Sequence, residues 1–286
     1  MTISKENNGA PLTIEKIFDL ERYPIHDLSG RAGDELLQRC RQDIQKSGVC
    51  LLPGFLTPKA IDAIAVEANE SLPKAFFCHN THNAYLKDDD PSFPEDHPRR
   101  RRLKTDVGSI AYDHLPQAGA LCRLYQWDPL TRFMGLVLGY EKFYRGDDPL
   151  GALSINVFEP GGGHSWHFDE SHFTVTIMVQ PAEQGGVFEY VSNIRTPDDD
   201  NYDTVGQILE GKHQGVLQLP FEPGTLSIFA GRNTLHRVTT VGGSRHRLVP
   251  VLTYDTKPGS INSDEVRMLF WGRTGREHAH DNAASV

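Results

Sequence analysis

The chain of 286 residues lacks the features of membrane-spanning and exported proteins. It has no apolar run long enough to cross a bilayer, and its first eight residues are polar, without the hydrophobic segment of a signal peptide. The four cysteines show neither CxxC spacing nor the pattern of a disulfide framework: Cys40, Cys50, Cys78 and Cys122. We therefore expect reduced thiols in a cytoplasmic protein.

An excess of positive charge is missing as well. Lys and Arg number 29 against 38 Asp and Glu, so the formal net charge is −9, which argues against general binding to nucleic acid or to an anionic membrane. There is no internal repeat and no sign of a second domain, and the length suits one domain with a full core. The expected partners are small molecules. The oligomeric state stays open, with a homodimer among the options.

The first part of the chain has helical periodicity. Residues 1–33 are predicted to form an arm that packs on the core. Apolar spacing predicts a helix over 34–47 that ends at Gly48. A short buried strand and turn over Val49–Phe55 follows, and then a second helix for which Thr57 is the N-cap.

Residues 78–106 break this pattern. They contain Asp88–Asp90, three prolines and the basic run Arg99–Arg102. Two interpretations stay open. One is a solvated loop, and the other is an active-site lid whose last cations, Arg102 or Lys104, meet a substrate carboxylate.

From residue 150 the apolar period changes to two, which indicates strands. Leu153–Phe158 alternates cleanly, and a set of short strands follows that ends with Val266–Trp271. An acidic insertion over 196–214 contains one short helix. Many short strands with Gly and Pro in the turns indicate a sandwich or a barrel.

We therefore predict a mixed α+β fold that is mainly β. Its core is a double-stranded β-helix of the jelly-roll, cupin-like type over 149–272, which brings distant strands side by side. The region 34–148, with a further helical part over 115–140, packs on this core as N-terminal helices and supplies the lid. Residues 273–286 form a flexible tail, and its His278 and His280 are not expected to be ligands.

A metal site is predicted where two histidines and one carboxylate converge. His167 and Asp169 stand two positions apart, and residues i and i+2 of a strand face the same side. His236 follows 69 residues after His167 (236 minus 167), so it must come from another strand. Two His and one carboxylate with open positions form the ligand set of non-haem Fe(II) oxygenases. Zinc uses the same ligand types, so the triad alone leaves the metal open.

Five segments between about residues 150 and 255 carry a family resemblance: NVFEPGGGHSWHFD, FTVTIMVQ, GGVFEY, PGTLSIFAGRNTLHRVTTV and GSRHRLVPVLTYD. They resemble the Fe(II)/2-oxoglutarate-dependent dioxygenase superfamily. Within it, the chain is most similar to bacterial halogenases of free amino acids and their hydroxylase relatives. The resemblance implies Fe(II) as cofactor, 2-oxoglutarate and O2 as co-substrates, and stimulation by ascorbate.

An arginine is expected to bind the far carboxylate of 2-oxoglutarate, because its planar fork matches a carboxylate. Arg245 and Arg247 follow His236 by nine and eleven residues (245 minus 236 and 247 minus 236). We favour Arg247, because it starts an apolar strand that should run into the barrel. The family often places co-substrate contacts on the strands that carry Asn156 and Thr176, although a structural amide or hydroxyl stays an alternative for each.

The residue at Asp169 distinguishes two reactions. In the halogenase relatives a small residue replaces the carboxylate, and chloride takes the vacated metal position. Asp169 fills that position here, so the resemblance implies hydroxylation of an unactivated C–H bond with release of succinate and CO2. This reaction requires no nucleophile and no general base from the protein, so we assign no catalytic residue beyond the metal ligands.

The substrate contacts are predicted from position in the subgroup, with a structural role as the alternative for each: His164, Glu170, Thr253 and Trp271. Val251 is apolar where relatives use an amide, so the far end of the pocket should differ from theirs. Two other functions stay open. One is an oxygenase of a tethered, peptidyl or non-amino-acid substrate, and the other is a non-catalytic cupin-like module that binds a metal or ligand.

Overall fold

The structure is a computed structural model that describes residues 11–275. The described chain contains the helices α1 (Ile14–Ile17), α2 (Arg31–Ser47), α3 (Pro58–Ser71), α4 (Ala120–Gln126), α5 (Asp128–Val137), α6 (Tyr202–Leu209) and α7 (Asp264–Trp271). Its strands are β1 (Val49–Leu52), β2 (Phe76–His82), β3 (Leu103–Ile110), β4 (Tyr144–Arg145), β5 (Leu153–Phe158), β6 (Gly163–His167), β7 (Thr174–Ile177), β8 (Gln184–Gly185), β9 (Phe188–Val191), β10 (Leu217–Gln218), β11 (Leu226–Phe229), β12 (Leu235–Val238), β13 (Val241–Gly242), β14 (Arg247–Leu252) and β15 (Tyr254–Asp255).

Most strands belong to one curled antiparallel sheet with the order β1-β11-β7-β14-β5-β3-β6-β12-β9-β10. Strand β3 pairs with β5 through Gly108 and Val157 and with β6 through Thr105 and His164, so it joins two arms of the sheet. The first arm is β1-β11-β7-β14-β5, and the second is β6-β12-β9-β10. This arrangement confirms the predicted double-stranded β-helix.

Successive side chains of a strand point to opposite faces of the sheet. Each arm therefore has an outer face and an inner face that is turned toward the other arm. On β5, Leu153, Ile155 and Val157 are fully buried in the large core that includes α2 to α5. Phe158 points the other way, into a second cluster that contains Phe188 of the opposite arm. The interior between the arms is therefore lined by the other half of each strand.

Local signals set the helix ends as predicted. Helix α2 ends at Gly48, which adopts a left-handed conformation with φ of 71°. The Thr57 side chain caps α3 by accepting a hydrogen bond from the N–H of Ala60 at 3.2 Å. In the predicted N-terminal arm, Ile17 and Phe18 are buried. No helix of the described residues is both long and apolar enough to cross a membrane.

The predicted strand Val266–Trp271 is wrong, because this stretch lies in helix α7. The Ser263 hydroxyl accepts a hydrogen bond from the Val266 N–H at 3.3 Å, and acidic residues occupy the first turn. Gly272 ends the helix with φ of 65°. A mainly apolar run is compatible with the periodicity of a strand and with that of a helix. The capping residues on either side of it favour the helix.

The prediction that 78–106 is irregular throughout is also wrong. Its two ends belong to the paired strands β2 and β3, and only the connection over 83–102 lacks regular structure. Part of that connection packs on α6, since the rings of Tyr85, Phe93 and His97 surround Tyr202 at 4.7–5.7 Å, whereas residues 87–89 and 94–96 are exposed. The predicted helix of the acidic insertion is α6, and His278 and His280 lie outside the described residues.

Burial of Ile228 on β11 yields a prediction about stability. This side chain has no exposed surface, whereas that of Ile261 is 59% exposed. We expect Ile228→Ala to lower the free energy of unfolding by about 2–5 kcal/mol, because it leaves a cavity in the core. The matched change Ile261→Ala should stay within about 0.5 kcal/mol of the parent. Urea unfolding followed by circular dichroism measures both, and equal losses would contradict the described core.

Candidate metal and co-substrate site

The three predicted metal ligands converge at one end of the sheet interior. His167 on β6 stands directly opposite His236 on β12 in the antiparallel register. Asp169 follows the end of β6, and its N–H donates to the carbonyl of Gly231 at 3.1 Å. Asp169 Oδ1 lies 3.5 Å from His167 Nε2 and 3.4 Å from His236 Nε2. All three ligand atoms lie within 4.8 Å of one another, so the group could hold a metal ion.

Hydrogen bonds orient these ligands. Each histidine places Nδ1 next to a carbonyl two residues earlier, at 2.8 Å from Ser165 O and at 2.9 Å from Thr234 O. Since a carbonyl only accepts, we assign the proton to Nδ1, and each Nε2 then presents its lone pair. The Thr174 hydroxyl donates to the second oxygen of Asp169 at 2.5 Å. The donor set therefore fits a divalent cation.

The protonation states also suit a metal. Burial by itself raises the pKa of Asp169, but His236 and His167 hold it well below its ordinary value. Burial lowers the pKa of His167, and His236 lowers it further. The carboxylate is thus ionised and His167 is neutral at neutral pH, which are the forms that bind metal.

Aromatic rings enclose the two imidazoles. Phe188 stacks on His236 with ring centroids 5.3 Å apart, and Phe229 meets His236 edge-on at 5.0 Å. His164 stacks on His167 at 3.6 Å. Its own pKa lies well below 6.5 because the half-buried ring is desolvated and adjoins His167 and His82. The ligand rings are therefore held by packing as well as by hydrogen bonds.

Arg247 lies in the same interior and is 2% exposed. Its Nε has no hydrogen-bond partner among residues 11–275, and the guanidinium sits 5.2 Å from the centroid of the Phe158 ring. Burial lowers the pKa of Arg247 to about 10. An unpaired buried cation is costly, so this group suits an anionic ligand. Arg245 is instead exposed in the preceding turn, and its Nε donates to Pro181 O at 3.2 Å.

Three polar side chains share the inner face with Arg247. Thr176 is buried on β7, and Asn156 is half-buried on β5. Ser227 stands opposite Thr176 in the register, and its hydroxyl is buried without a hydrogen-bond partner among the described residues. The co-substrate roles of Asn156 and Thr176 stay predictions, to which the structure adds Ser227.

The predicted substrate contacts are spread more widely. His164 adjoins the metal ligands, and Glu170 is exposed directly after Asp169. The Thr253 hydroxyl donates to Gly151 O at 2.8 Å. Trp271 is buried on α7, where its ring lies against Gly151. These positions bring His164 and Glu170 near the triad, whereas Thr253 and Trp271 each lie beside Gly151 in the loop before β5.

The two predicted cations lie at the surface around β3. Arg102 donates to the Thr81 hydroxyl at 2.9 and 3.1 Å. Lys104 is exposed and pairs with Asp106 at 2.5 Å. Both side chains thus have partners on the β2–β3 hairpin, and their contact with a substrate stays a prediction.

Sequence reasoning missed the residues that support the ligands. Four residues contact the ligands in the folded structure, and their positions follow no recognisable sequence motif: Thr174, Gly231, Phe188 and Phe229. Thr174 carries the only sequence signal, since it is a hydroxyl residue five positions after Asp169.

The fold and the site define the class, which is the Fe(II)/2-oxoglutarate-dependent oxygenases with a double-stranded β-helix core. A family model described as halogenase D matches residues 32–264, and the chain belongs to that family. No curated protein matches the chain.

Solved structures share the fold at low sequence identity. The non-haem α-ketoglutarate-dependent epimerase SnoN from nogalamycin biosynthesis is 14% identical, with TM-score 0.54, over 77% of this chain and 81% of its own. The carbocyclase SnoK from the same biosynthesis is 16% identical, with TM-score 0.52, over 86% and 87%. A 2OG-Fe(II) oxygenase family oxidoreductase from Burkholderia pseudomallei is 17% identical, with TM-score 0.50, over 78% and 92%.

The triad geometry predicts one metal site. We expect the protein to bind one equivalent of Co(II), used as a spectroscopic substitute for Fe(II), and His236→Ala to weaken binding by more than about 100-fold because it removes a ligand. The matched change at exposed His26 should leave the affinity unchanged. Competition with a coloured chelator measures both. Unaltered binding by His236→Ala would remove His236 from the site.

Proposed function

We propose that the chain is an Fe(II)- and 2-oxoglutarate-dependent hydroxylase of a small substrate, a free amino acid, with release of succinate and CO2. The observation that carries the proposal is the Asp169 carboxylate, whose Oδ1 lies 3.4–3.5 Å from both imidazole Nε2 atoms. A family named for halogenation would lead one to expect a small residue there. A third protein ligand instead favours hydroxylation, because Asp169 stands where chloride binds in the halogenase relatives.

The residues around the metal site have distinct roles in this proposal. When bound, iron with 2-oxoglutarate and dioxygen supplies the oxidation that inserts oxygen into a C–H bond. His167, Asp169 and His236 would hold the ion through three protein ligands, the set that leaves positions for co-substrates. Thr174 orients the carboxylate through its hydrogen bond, and the rings of Phe188 and Phe229 pack on the buried His236.

Arg247 holds the co-substrate in this proposal. Its buried guanidinium would pair with the far carboxylate of 2-oxoglutarate, and Asn156, Thr176 and Ser227 share its inner face of the sheet. A cupin-like binding module has no need of a buried, unpaired arginine in its interior. The position of Arg247 therefore supports the oxygenase over the module.

Substrate recognition rests on the residues beside the ligands. His164 stacks on His167, and the low pKa of His164 keeps its imidazole neutral as a hydrogen-bonding group. The hydroxyl of Thr253 already donates to Gly151 O, so a substrate contact of Thr253 stays a prediction. The choice of a free amino acid rests on the resemblance of the sequence to amino-acid halogenases and their hydroxylase relatives. The proposal keeps the cytoplasm as compartment, since the four cysteines are free thiols.

A mass-spectrometric screen tests the function. The protein with Fe(II), ascorbate, 2-oxoglutarate and air would meet pooled free amino acids, while succinate and product masses are followed. We expect one amino acid to gain one oxygen in step with succinate. Because SnoN and SnoK are an epimerase and a carbocyclase, masses equal to or two hydrogens below the substrate are recorded too. Succinate without a modified amino acid would redirect the search to tethered or other substrates, and no succinate would favour the binding module.

The two arginines allow a matched test of co-substrate binding. We expect Arg247→Ala to weaken 2-oxoglutarate binding by about 2–5 kcal/mol, because it removes one partner of a buried charge pair. Arg245→Ala should bind like the parent, since Arg245 is exposed. Anaerobic calorimetry with Co(II) present measures both. Full affinity in Arg247→Ala would show that the co-substrate is held elsewhere.

Replacing the carboxylate ligand tests the reaction type. We expect Asp169→Gly to lose hydroxylation, because the variant holds the ion through two side chains only, and its vacated position is then open to chloride. Asp198→Gly removes an exposed carboxylate and should keep full activity. Oxygen incorporation is followed by mass, and chloride binding by its effect on the Co(II) spectrum. A fully active Asp169→Gly would exclude Asp169 from the triad.

A further inference from the structure

Gly231 lies against the carboxylate ligand. A Cβ atom on Gly231 would stand 2.1 Å from Asp169 Oδ2 and 2.8 Å from both Cβ and Cγ of Asp169. Real Cβ atoms do not approach other heavy atoms this closely, so any side chain at 231 would require Asp169 or the backbone to move. The space that a side chain would occupy at 231 is filled by the ligand.

The backbone does not by itself require a glycine at this position. Gly231 is absent from the positive-φ glycines of the described residues, so L-amino acids can adopt its conformation. Its N–H donates to Phe229 O at 3.0 Å, which a residue with a side chain could do equally well. The close approach to Asp169 is therefore the physical reason for a glycine.

Asp169 has no freedom to withdraw from an added methyl group. The Thr174 hydroxyl holds Oδ2 at 2.5 Å, and Oδ1 faces the two imidazoles. Rotation of the side chain cannot relieve the contact at Cβ, which is fixed to the backbone. The two backbones are joined by the hydrogen bond from Asp169 N–H to Gly231 O.

We propose that Gly231 is a positioning residue that admits a carboxylate ligand at 169 and holds it toward the two histidines. This inference rests on the proposed role of Asp169 as a metal ligand. Positions 169 and 231 are therefore sterically matched. A carboxylate at 169 requires a glycine at 231, and a side chain at 231 is compatible only with a small residue at 169. Gly231 thereby helps to set which ligand completes the metal site.

The test adds one methyl group. We expect Gly231→Ala to weaken Co(II) binding by about 10- to 100-fold, the range for loss of a group that orients a ligand, and to change the Co(II) absorption bands because the carboxylate is displaced. Gly206→Ala is the control, since its added Cβ meets only Pro98 at 3.7 Å. It should bind Co(II) like the parent. Equal affinity and spectrum in Gly231→Ala and the parent would overturn the inference.

A double-variant comparison separates this role from a general need for glycine. Without metal, Gly231→Ala should lower the melting temperature of the parent but not that of Asp169→Gly, where the space is vacant. An equal drop in both backgrounds would overturn the inference. If Gly231→Ala does not fold, a folded Asp169→Gly/Gly231→Ala double variant still supports the steric match, and an unfolded one refutes it.

The two proposals fail in different ways. If the parent itself binds neither Co(II) nor 2-oxoglutarate, the proposed function is wrong, while the metal-free melting comparison still decides the contact between 169 and 231. If the parent binds both and Gly231→Ala binds them equally well, only the positioning role is lost.

Discussion

The antiparallel pairing of β6 with β12 is the constraint on which the site depends. It sets His167 directly opposite His236, although 69 residues separate them in the chain (236 minus 167). The ladder hydrogen bonds fix the distance between these backbones, so the imidazoles meet without help from a loop. Asp169 joins them because backbone bonds from Phe168 to Ala84 and from Asp169 to Gly231 hold the chain as it leaves the strand.

The rest of the fold supports this pairing from the outer face and places polar side chains on the inner face. Helices pack on the outer face of the first arm through side chains such as Ile155 and Leu248, which have no exposed surface. The inner face carries Arg247 and Ser227 with unsatisfied polar atoms. Such groups destabilise a folded protein unless a ligand pairs with them. The outer face is therefore stabilised by apolar packing alone, whereas the inner face combines an apolar cluster around Phe158 and Phe188 with polar groups that suit a ligand.

Local sequence patterns predicted the elements whose signals are local. The strand Leu153–Phe158 and the helix ends at Gly48 and Thr57 follow from alternation, left-handed glycine and hydroxyl capping within a few residues. The run Val266–Trp271 was misassigned because apolar side chains fill both periods, and the decisive Ser263 cap lies outside it. Strands β2 and β3 were missed since their pairing is with each other and with the barrel, across a long polar connection.

The sequence alone determined the chemical groups of the site, which are two imidazoles, one carboxylate and a nearby arginine. It also indicated the jelly-roll fold. Both depend on residue type and short-range spacing. The apolar strand that follows Arg247 already favoured it over Arg245, and the tertiary structure decided the choice by burying Arg247 and leaving Arg245 exposed. Only the tertiary structure decided the enclosure of Asp169 by Thr174 and Gly231. These relations depend on non-local strand pairing, and a distance between two strands is not written in the local pattern of either one.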